Sequence, residues 1–250
     1  MAEAETVPNT QTSPPVAEAT DPASAPSQQN VKSTQVVASD KLPSTEAITK
    51  TSEYKVLDHK GEEHIFKSLY DNSESTRTLV IFIRHFFCGS CQEFIFALAK
   101  AITPSDLEKL STKTSIIVIG CGDPGLIDFY AKETSCPFPI YADPKQKLYK
   151  ELELVQNYGM GSKPEYFRKG MLGSVGSSIM QGLKHVSSGL VLKGGDSSQN
   201  GGEFLFETGS EGTGKSVTWC HRMTNTRDHS GIEEFKRVVD PEGQVLGKNE

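Results

Sequence analysis

Residues 78–93 read TLVIFIRHFFCGSCQE and contain a strand signal, a loop and a helix start in direct succession. The continuous apolar run TLVIFI, residues 78–83, is typical of a central strand that is buried on both faces. Residues 91–101, CQEFIFALAKA, have the apolar spacing of a helix, which we expect to end before Pro104. The pair Cys88-Gly-Ser-Cys91 therefore stands between a buried strand and the N-terminus of a helix.

The position of this CxxC pair favours thiol chemistry. A cysteine at a helix N-terminus meets unpaired backbone N–H groups and the positive end of the helix dipole, and both stabilise the reactive thiolate. We therefore predict that Cys88 is the attacking thiolate. Cys91, one helical turn away, is the expected resolving thiol, which attacks a bond formed at the Cys88 sulfur. Arg84 and His85 lie just before the loop, where a positive charge supports the thiolate.

The other cysteines bear on the alternatives to redox chemistry. Structural zinc usually takes four ligands, often from two such pairs, whereas Cys121, Cys136 and Cys220 are isolated in the sequence. We therefore expect a redox site with no metal or organic cofactor, while an inert pair that keeps the fold and loses the chemistry is a second interpretation. Cys121 follows a strand parallel to the one that leads to Cys88, so it is a candidate third redox thiol or a small packed loop residue. Cys136 and Cys220 are predicted to be structural.

Composition divides the chain of 250 residues into a tail and a domain. Residues 1–50 contain no aromatic residue and no glycine, but six of the 13 prolines. Such a composition buries too little apolar surface to offset the entropy lost on ordering. We expect a disordered low-complexity tail at residues 1–50, one α/β domain at residues 51–241, and a C-terminal tail at residues 242–250.

Charge and hydropathy exclude several classes of partner. A net charge of −6 without a basic stripe argues against nucleic-acid binding. The longest apolar runs, residues 79–83 and 94–99, are far below the roughly 18 residues that span a bilayer, so no membrane partner is expected. The first residues lack the basic and apolar regions of a secretory signal. We therefore expect a cytoplasmic protein with reduced thiols; composition sets no expectation for its oligomeric state.

Apolar patterns predict the remaining elements of the fold. Strands are expected at residues 115–119 and 138–141. Helices are expected to begin at Pro124 and at Asp143, and a further helix is expected at residues 164–183. A small hairpin is expected to begin at residues 54–58, with a turn at Lys60-Gly61. A second antiparallel hairpin is expected from residues 202–207 and 216–222, followed by a helix that a capping box at residues 230–233 opens. Strands that alternate with helices pair in parallel, so the fold class is α/β: a mixed central sheet flanked by helices, a three-layer sandwich.

Residues 209–216, GSEGTGKS, match the phosphate-binding pattern GxxxxGKS completely. That pattern requires a helix directly after it, whereas SVTWC, residues 216–220, alternates as a strand does. We interpret the segment as a glycine-rich hairpin turn and expect no nucleotide binding. His221 and Arg222 follow in this strand and are predicted to have surface or helix-capping roles.

Residues 78–93 resemble the active-site strand, loop and helix of thioredoxin-like proteins, and more narrowly those of the peroxiredoxin-like AhpC/TSA antioxidant-enzyme-domain family. Further segments match that family in the same order: VIGCGDP (118–124), CPFPIYADP (136–144), GGDSSQNGG (194–202) and HRMTNTRDH (221–229). The resemblance spans residues 54–240. It implies a thioredoxin-like fold and an antioxidant or oxidoreductase role with peroxide or disulfide as substrate. It also implies an external thiol reductant, such as glutathione or the thioredoxin system.

Typical members of that family differ from this chain near the thiols. They carry a proline and a threonine seven and three residues before the peroxidatic cysteine. Counted from Cys88, those positions hold Ile81 and His85; counted from Cys91, they hold Arg84 and Cys88. The second count makes Cys91 an alternative nucleophile. Two rival functions also stay open, a non-catalytic thioredoxin-like interaction module and a pathway-specific enzyme built on the same fold.

Overall fold

The computed structural model describes residues 39–167, 189–208 and 214–247. The strands in these ranges are β1 (Lys55–Leu57), β2 (Glu63–Ile65), β3 (Arg77–Phe82), β4 (Thr114–Gly120), β5 (Ile140–Ala142), β6 (Gly202–Thr208) and β7 (Lys215–Arg222). The α-helices are α1 (Thr45–Ser52), α2 (Phe66–Tyr70), α3 (Gly89–Ala101), α4 (Pro104–Lys109), α5 (Ile127–Thr134), α6 (Lys147–Glu151) and α7 (Ile232–Val239). Among the helices of these ranges, none is both long and apolar enough to cross a membrane.

The seven described strands form one mixed sheet in the order β2-β1-β5-β4-β3-β6-β7. β3 pairs in parallel with β4, and β4 pairs in parallel with β5. β6 runs antiparallel to β3 and forms a hairpin with β7, while β1 and β2 form the first hairpin. The predicted parallel pairs and both predicted hairpins are confirmed. Because Phe82 lies opposite Gly202, the start of β6 stands beside the loop that follows β3.

β3 is buried along its whole length because helices cover both faces of the sheet. Leu79 and Ile81 belong to an apolar cluster shared with α3, α5 and α7. Val80 and Phe82 belong to a second cluster, shared with α2 and α6. Successive side chains of a strand point to opposite faces, so the continuous apolar run fills two cores. The predicted three-layer α/β sandwich, a mixed central sheet flanked by helices, is confirmed.

Two sequence signals for helix ends, Pro104 and residues 230–233, have other roles in the structure than those predicted. Pro104 is the first residue of α4, a helix absent from the predicted elements, where Thr103 and Asp106 form a capping box. The capping box predicted at residues 230–233 is wrong. The N-cap of α7 is Gly231, which has no side chain that could accept a hydrogen bond from the first turn. The Ser230 hydroxyl donates instead to a buried carboxylate, which is a stronger acceptor. The helix predicted at residues 164–183 lies mostly outside the described residues.

The domain begins earlier than predicted. α1 begins inside the expected tail and crosses its boundary at residue 50, and the Ser44 side chain caps the N-terminus of this helix. Arg222, predicted to have a surface or capping role, is 2% exposed and donates hydrogen bonds to the carbonyls of Ser39 and Lys41. The expected disorder is therefore wrong for residues 39–50, because a cation buried in β7 needs the carbonyls of this segment as acceptors.

Residues 242–247, expected to belong to a C-terminal tail, also pack on the domain. Leu246 is buried in the apolar cluster that contains α3 and α7. The Asp240 carboxylate accepts hydrogen bonds from the backbone N–H groups of Gln244, Val245 and Leu246, which turns the chain back after α7. The other residues of the two expected tails, 1–38 and 248–250, lie outside the described residues.

Candidate functional site

The CxxC pair lies where α3 begins, directly after β3 and its connecting loop. Cys88 is the N-cap of α3, and its sulfur accepts a hydrogen bond from the Cys91 N–H group, with 3.3 Å between sulfur and nitrogen. Cys88 is 4% exposed, whereas Cys91 is completely buried. Of the two sulfurs, Cys88 is therefore the more accessible to a small substrate.

Arg84 brings its guanidinium to the Cys88 sulfur. Its Nη1 lies 3.3 Å from Cys88 Sγ, while Nε donates to the Gln199 carbonyl and to Asn200 Oδ1, both at 3.1 Å. Nη2 donates to the carbonyl of Ser197. These oxygen acceptors, all just before β6, hold the planar guanidinium in one orientation, so its permanent charge faces the thiol.

The two thiols differ in their electrostatics. Burial raises the pKa of Cys88, but the Cys91 thiol, the charges of His85 and Arg84 and the Cys91 N–H group outweigh it and hold that pKa well below its ordinary value. Burial raises the pKa of Cys91, and the adjacent Cys88 sulfur raises it further. The arrangement therefore favours a Cys88 thiolate beside a protonated Cys91 at neutral pH.

His85 contributes to the loop through its backbone and to the charge at the thiol when its imidazole is protonated. Its carbonyl accepts a hydrogen bond from the Cys88 N–H group at 3.0 Å. Burial lowers the pKa of His85 more than the neighbouring Cys88 raises it. The positive charge of His85 is therefore lost at a lower pH than usual, whereas the guanidinium of Arg84 stays charged next to Cys88.

A further polar contact at the site was missed by sequence reasoning. His229 Nε2 lies 3.3 Å from Cys91 Sγ, and His229 Nδ1 lies 2.6 Å from Glu203 Oε1. Both the histidine and the glutamate side chain are completely buried. Phe94 of α3 stacks on the imidazole, with 4.2 Å between ring centroids. Two signals for these residues were present in the sequence: an acidic residue inside the apolar strand GEFLFE, and a histidine in the family-matching segment HRMTNTRDH.

The remaining cysteines have packing contacts. Cys121 lies in the apolar cluster on the face of the sheet opposite the CxxC pair, and its thiol donates to the Arg84 carbonyl at 2.9 Å. Burial raises the pKa of Cys121 and that of Cys136 to about 11. The Cys220 thiol donates to the carbonyl of Asp40 at 3.3 Å. These environments disfavour thiolates, so the geometry favours the packed-residue interpretation of Cys121 over that of a third redox thiol.

The GKS motif leads into a strand, as the sequence predicted. β7 begins at Lys215, which pairs with Thr208 of β6. The Lys215 ammonium is directed inward and donates to the Ser75 carbonyl at 2.7 Å and to Thr78 Oγ1 at 3.4 Å. A phosphate-binding lysine needs a helix N-terminus beside it and a free ammonium, and the described part of this segment, from residue 214 onward, offers neither.

Among the described residues, one group of side chains has the spacing of a metal site: Asp58, Glu62 and His64 at the first hairpin, with ligand atoms within 4.8 Å of one another. Asp58 Oδ1 accepts hydrogen bonds from the N–H groups of Lys60 and Glu62, and Oδ2 lies 3.0 Å from His64 Nε2. The hydrogen bond with His64 is the main reason why the pKa of Asp58 falls to about 2. The hydrogen bonds of the turn thus explain why Asp58 is there without a metal ion. The turn lies at one edge of the sheet, away from the thiols.

The chain matches one family model and is similar in sequence to vertebrate proteins that share one name. A family model described as AhpC/TSA antioxidant enzyme matches residues 98–225, a region that begins after the CxxC pair. "Peroxiredoxin-like 2C" of Homo sapiens is 30% identical over 193 residues, which cover 75% of this chain and 78% of the human protein. The Bos taurus protein of the same name is 31% identical over 193 residues, which cover 75% of this chain and 77% of the bovine protein.

Solved structures of similar architecture include peroxidoxin BcpB from Mycobacterium tuberculosis and a peroxiredoxin-like protein from Aquifex aeolicus. The first is 8% identical with a TM-score of 0.47, and the match covers 81% of this chain and 94% of the mycobacterial chain. The second is 12% identical with a TM-score of 0.46, and the match covers 81% of this chain and 85% of the Aquifex chain.

Proposed function

The chain belongs to the AhpC/TSA antioxidant enzyme family, and we propose that it is a thiol-dependent oxidoreductase that reduces peroxides or disulfides through Cys88 and Cys91. The observation that carries this proposal is the 3.3 Å contact between Arg84 Nη1 and Cys88 Sγ. A thiol that faces a fixed cation at a helix N-terminus is stabilised as the thiolate, which is the form that attacks an O–O or S–S bond.

In the proposed reaction, the Cys88 thiolate attacks one oxygen of a peroxide. The O–O bond breaks, Cys88 becomes a sulfenic acid, and a proton completes the leaving alcohol or water. Cys91 then attacks the Cys88 sulfur, which forms a disulfide between the two residues and releases water. The two thiol side chains interact with each other, since each shifts the pKa of the other, and this proximity supports the second step.

Two electrons from an external thiol must return the disulfide to the dithiol. We propose a reductant such as glutathione or the thioredoxin system, which the reducing cytoplasm supplies. The proposed cycle needs no metal and no organic cofactor, since the sulfurs of the protein and of the reductant carry both electrons.

Single-turnover reactions of two variants with hydrogen peroxide test the proposal. Cys88→Ser should abolish the reaction. Cys91→Ser should react once and stop as a sulfenic acid, which a sulfenic-acid trap then labels. Cys136→Ser is the matched control, because it removes a cysteine outside the site, and it should react as the wild type does. Label on Cys91 in the Cys88→Ser protein, at the wild-type rate, would reverse the assignment of the nucleophile.

The rival functions predict other results. In a non-catalytic interaction module, the pKa of Cys88 should lie near the free-thiol value of about 8.5, and both thiols should stay alkylatable after treatment with peroxide. A pathway-specific enzyme should combine a low Cys88 pKa with no turnover of simple peroxides or disulfides. Titration of the thiolate absorbance, followed by turnover assays, separates these three functions.

A further inference from the structure

His229 and Glu203 form a buried pair behind the resolving thiol, and the reaction described above does not use them. The imidazole lies between Cys91 Sγ and the Glu203 carboxylate, at 3.3 Å and 2.6 Å. On another side of the same sulfur, the backbone N–H group of Arg84 donates to Cys91 Sγ at 3.3 Å. Cys91 therefore has both a base and a hydrogen-bond donor for its thiolate in a site that is closed to water.

The resolving thiol needs such a base. It must lose its proton before its sulfur attacks, but burial and the adjacent Cys88 sulfur raise the pKa of Cys91 well above its ordinary value. At neutral pH a thiol of this kind is almost entirely protonated, so an unassisted attack is slow. A base within hydrogen-bond distance removes this limitation.

Glu203 determines which imidazole nitrogen can act as the base. Nδ1 faces the Glu203 carboxylate, to which it can only donate, so Nε2 is the nitrogen that is left to exchange a proton with the Cys91 sulfur. The Ser230 hydroxyl donates to the other carboxylate oxygen at 3.4 Å, and the Phe94 ring covers one face of the imidazole. The order thiol, imidazole, carboxylate is the general arrangement of an activated nucleophile.

We propose that His229 is the general base of the resolving step and that Glu203 is its positioning residue. This inference rests on the proposed function, in which Cys91 resolves an adduct on Cys88. Once Cys88 is bonded to oxygen or to another sulfur, it no longer carries the charge that holds the Cys91 proton. That proton moves to His229 Nε2 as the Cys91 sulfur forms the S–S bond. The leaving hydroxide or thiolate takes the bonding electron pair, and His229 later releases the proton to it or to solvent.

Reaction with dithiodipyridine tests this role without peroxide. Attack by Cys88 releases one equivalent of coloured thione in a first phase, and attack by Cys91 on the mixed disulfide releases the second. His229→Gln should leave the first phase at the wild-type rate and slow the second by roughly a hundredfold or more, as loss of a general base does. The second phase of this variant should also rise about tenfold per pH unit, following the Cys91 thiol alone, more steeply than the wild type does.

Other ionisable groups lie near the two thiols or near the His229–Glu203 pair and could titrate in the same experiment. They are Arg84, His85, Tyr130, Tyr166 and His221. Burial raises the pKa of both tyrosines and lowers that of His85, which leaves all three neutral near pH 7. His221 is the remaining group that titrates in this range, so His221→Gln is one control and should keep the wild-type pH profile. His64→Gln, which breaks a remote histidine–carboxylate pair, is the second and should change neither phase.

Glu203→Gln keeps the size of the side chain and removes its charge. It should slow the second phase less than His229→Gln does and leave the first phase unchanged. If both buried variants fail to fold, the wild-type protein decides the matter. A second phase that is slower in D₂O than in H₂O supports transfer of the proton to a base, and one that is not slower overturns the proposal.

The outcomes separate this inference from the proposed function. A wild-type protein that shows no first phase, and no reaction with peroxide, refutes the proposed function. A normal first phase together with a wild-type second phase in folded His229→Gln refutes the role of His229 and leaves the proposed function intact.

Discussion

Asn200 Oδ1 accepts a hydrogen bond from Arg84 Nε at 3.1 Å, across 116 positions of sequence. The two residues meet because β3 and β6 are antiparallel neighbours, with Phe82 opposite Gly202. The segment before β6 therefore holds the cation that faces Cys88. Changes in this segment should alter the reactivity of the thiol without touching either cysteine.

Replacing the cation tests its effect on Cys88 directly. Arg84→Met should raise the pKa of Cys88, because the lowered value depends in part on the positive charge. The wild-type thiolate persists until the pH falls through the lowered pKa, so the midpoint of the pH profile should move to higher pH in the variant. Each 1.4 kcal/mol by which the thiolate loses stabilisation raises the pKa by about one unit. At pH values below the midpoint, the rate of alkylation then falls by about tenfold. Alkylation of Cys88 at a series of pH values measures the shift.

A second buried arginine serves as the matched control. Arg222 also contacts a cysteine sulfur, with Nη1 at 3.5 Å from Cys220 Sγ, but it lies in β7 away from the CxxC pair. Arg222→Met should lower the melting temperature and leave the alkylation profile of Cys88 unchanged. An unchanged profile in Arg84→Met would instead show that the guanidinium does not stabilise the thiolate.

Gly201 is required by the close approach of two backbones. A Cβ atom at this position would lie 1.9 Å from the Phe82 carbonyl oxygen, which cannot move without breaking the strand pairing. Gly201→Ala should therefore destabilise the protein by about 1–3 kcal/mol, as overpacking does. Gly231→Ala is the control, since nothing lies within 4 Å of its Cβ position, and it should cost no more than about 1 kcal/mol, the difference between glycine and alanine at a helix N-cap. Urea unfolding of both variants gives the comparison.

Two truncations test where the domain begins. Removal of residues 1–38 should leave the melting temperature unchanged, because that composition offers no aromatic anchors. Removal of residues 1–50 should lower it, because the buried Arg222 guanidinium then loses the Ser39 and Lys41 carbonyls. An unpaired buried polar group costs about 1–3 kcal/mol, and a charged one costs more. Equal melting temperatures of the two truncated proteins would contradict a structural role for residues 39–50.

Lys215 should behave as a structural residue. Lys215→Met leaves the Ser75 carbonyl without its ammonium donor and should lower the free energy of unfolding by about 1–3 kcal/mol. Calorimetric titration of the wild type with ATP and Mg²⁺ should give no heat of binding, because the strand after Lys215 offers no helix N-terminus to a phosphate. A saturable isotherm that the Lys215→Met variant lacks would overturn this interpretation of the motif.

The amino-acid sequence by itself determined the elements that position the thiols. The run TLVIFI predicts β3 because a strand buried on both faces needs apolar side chains at successive positions. The apolar spacing after Cys91 predicts α3, and so it places Cys88 at a helix N-terminus. The alternation in GEFLFE and SVTWC predicts the β6–β7 hairpin and excludes a phosphate-binding helix after Lys215. These signals are local, since each reflects how neighbouring side chains face a core.

Only the tertiary structure decided which polar groups meet. Cys91 and His229 are 138 positions apart, and Arg222 contacts the Lys41 carbonyl across 181 positions. No periodicity encodes such contacts, because they depend on strand order and on which buried charges need partners once water is excluded. For the same reason the boundaries at residues 50 and 242 could not be placed from composition. Segments without apolar runs are ordered here by hydrogen bonds to buried Arg222 and to Asp240.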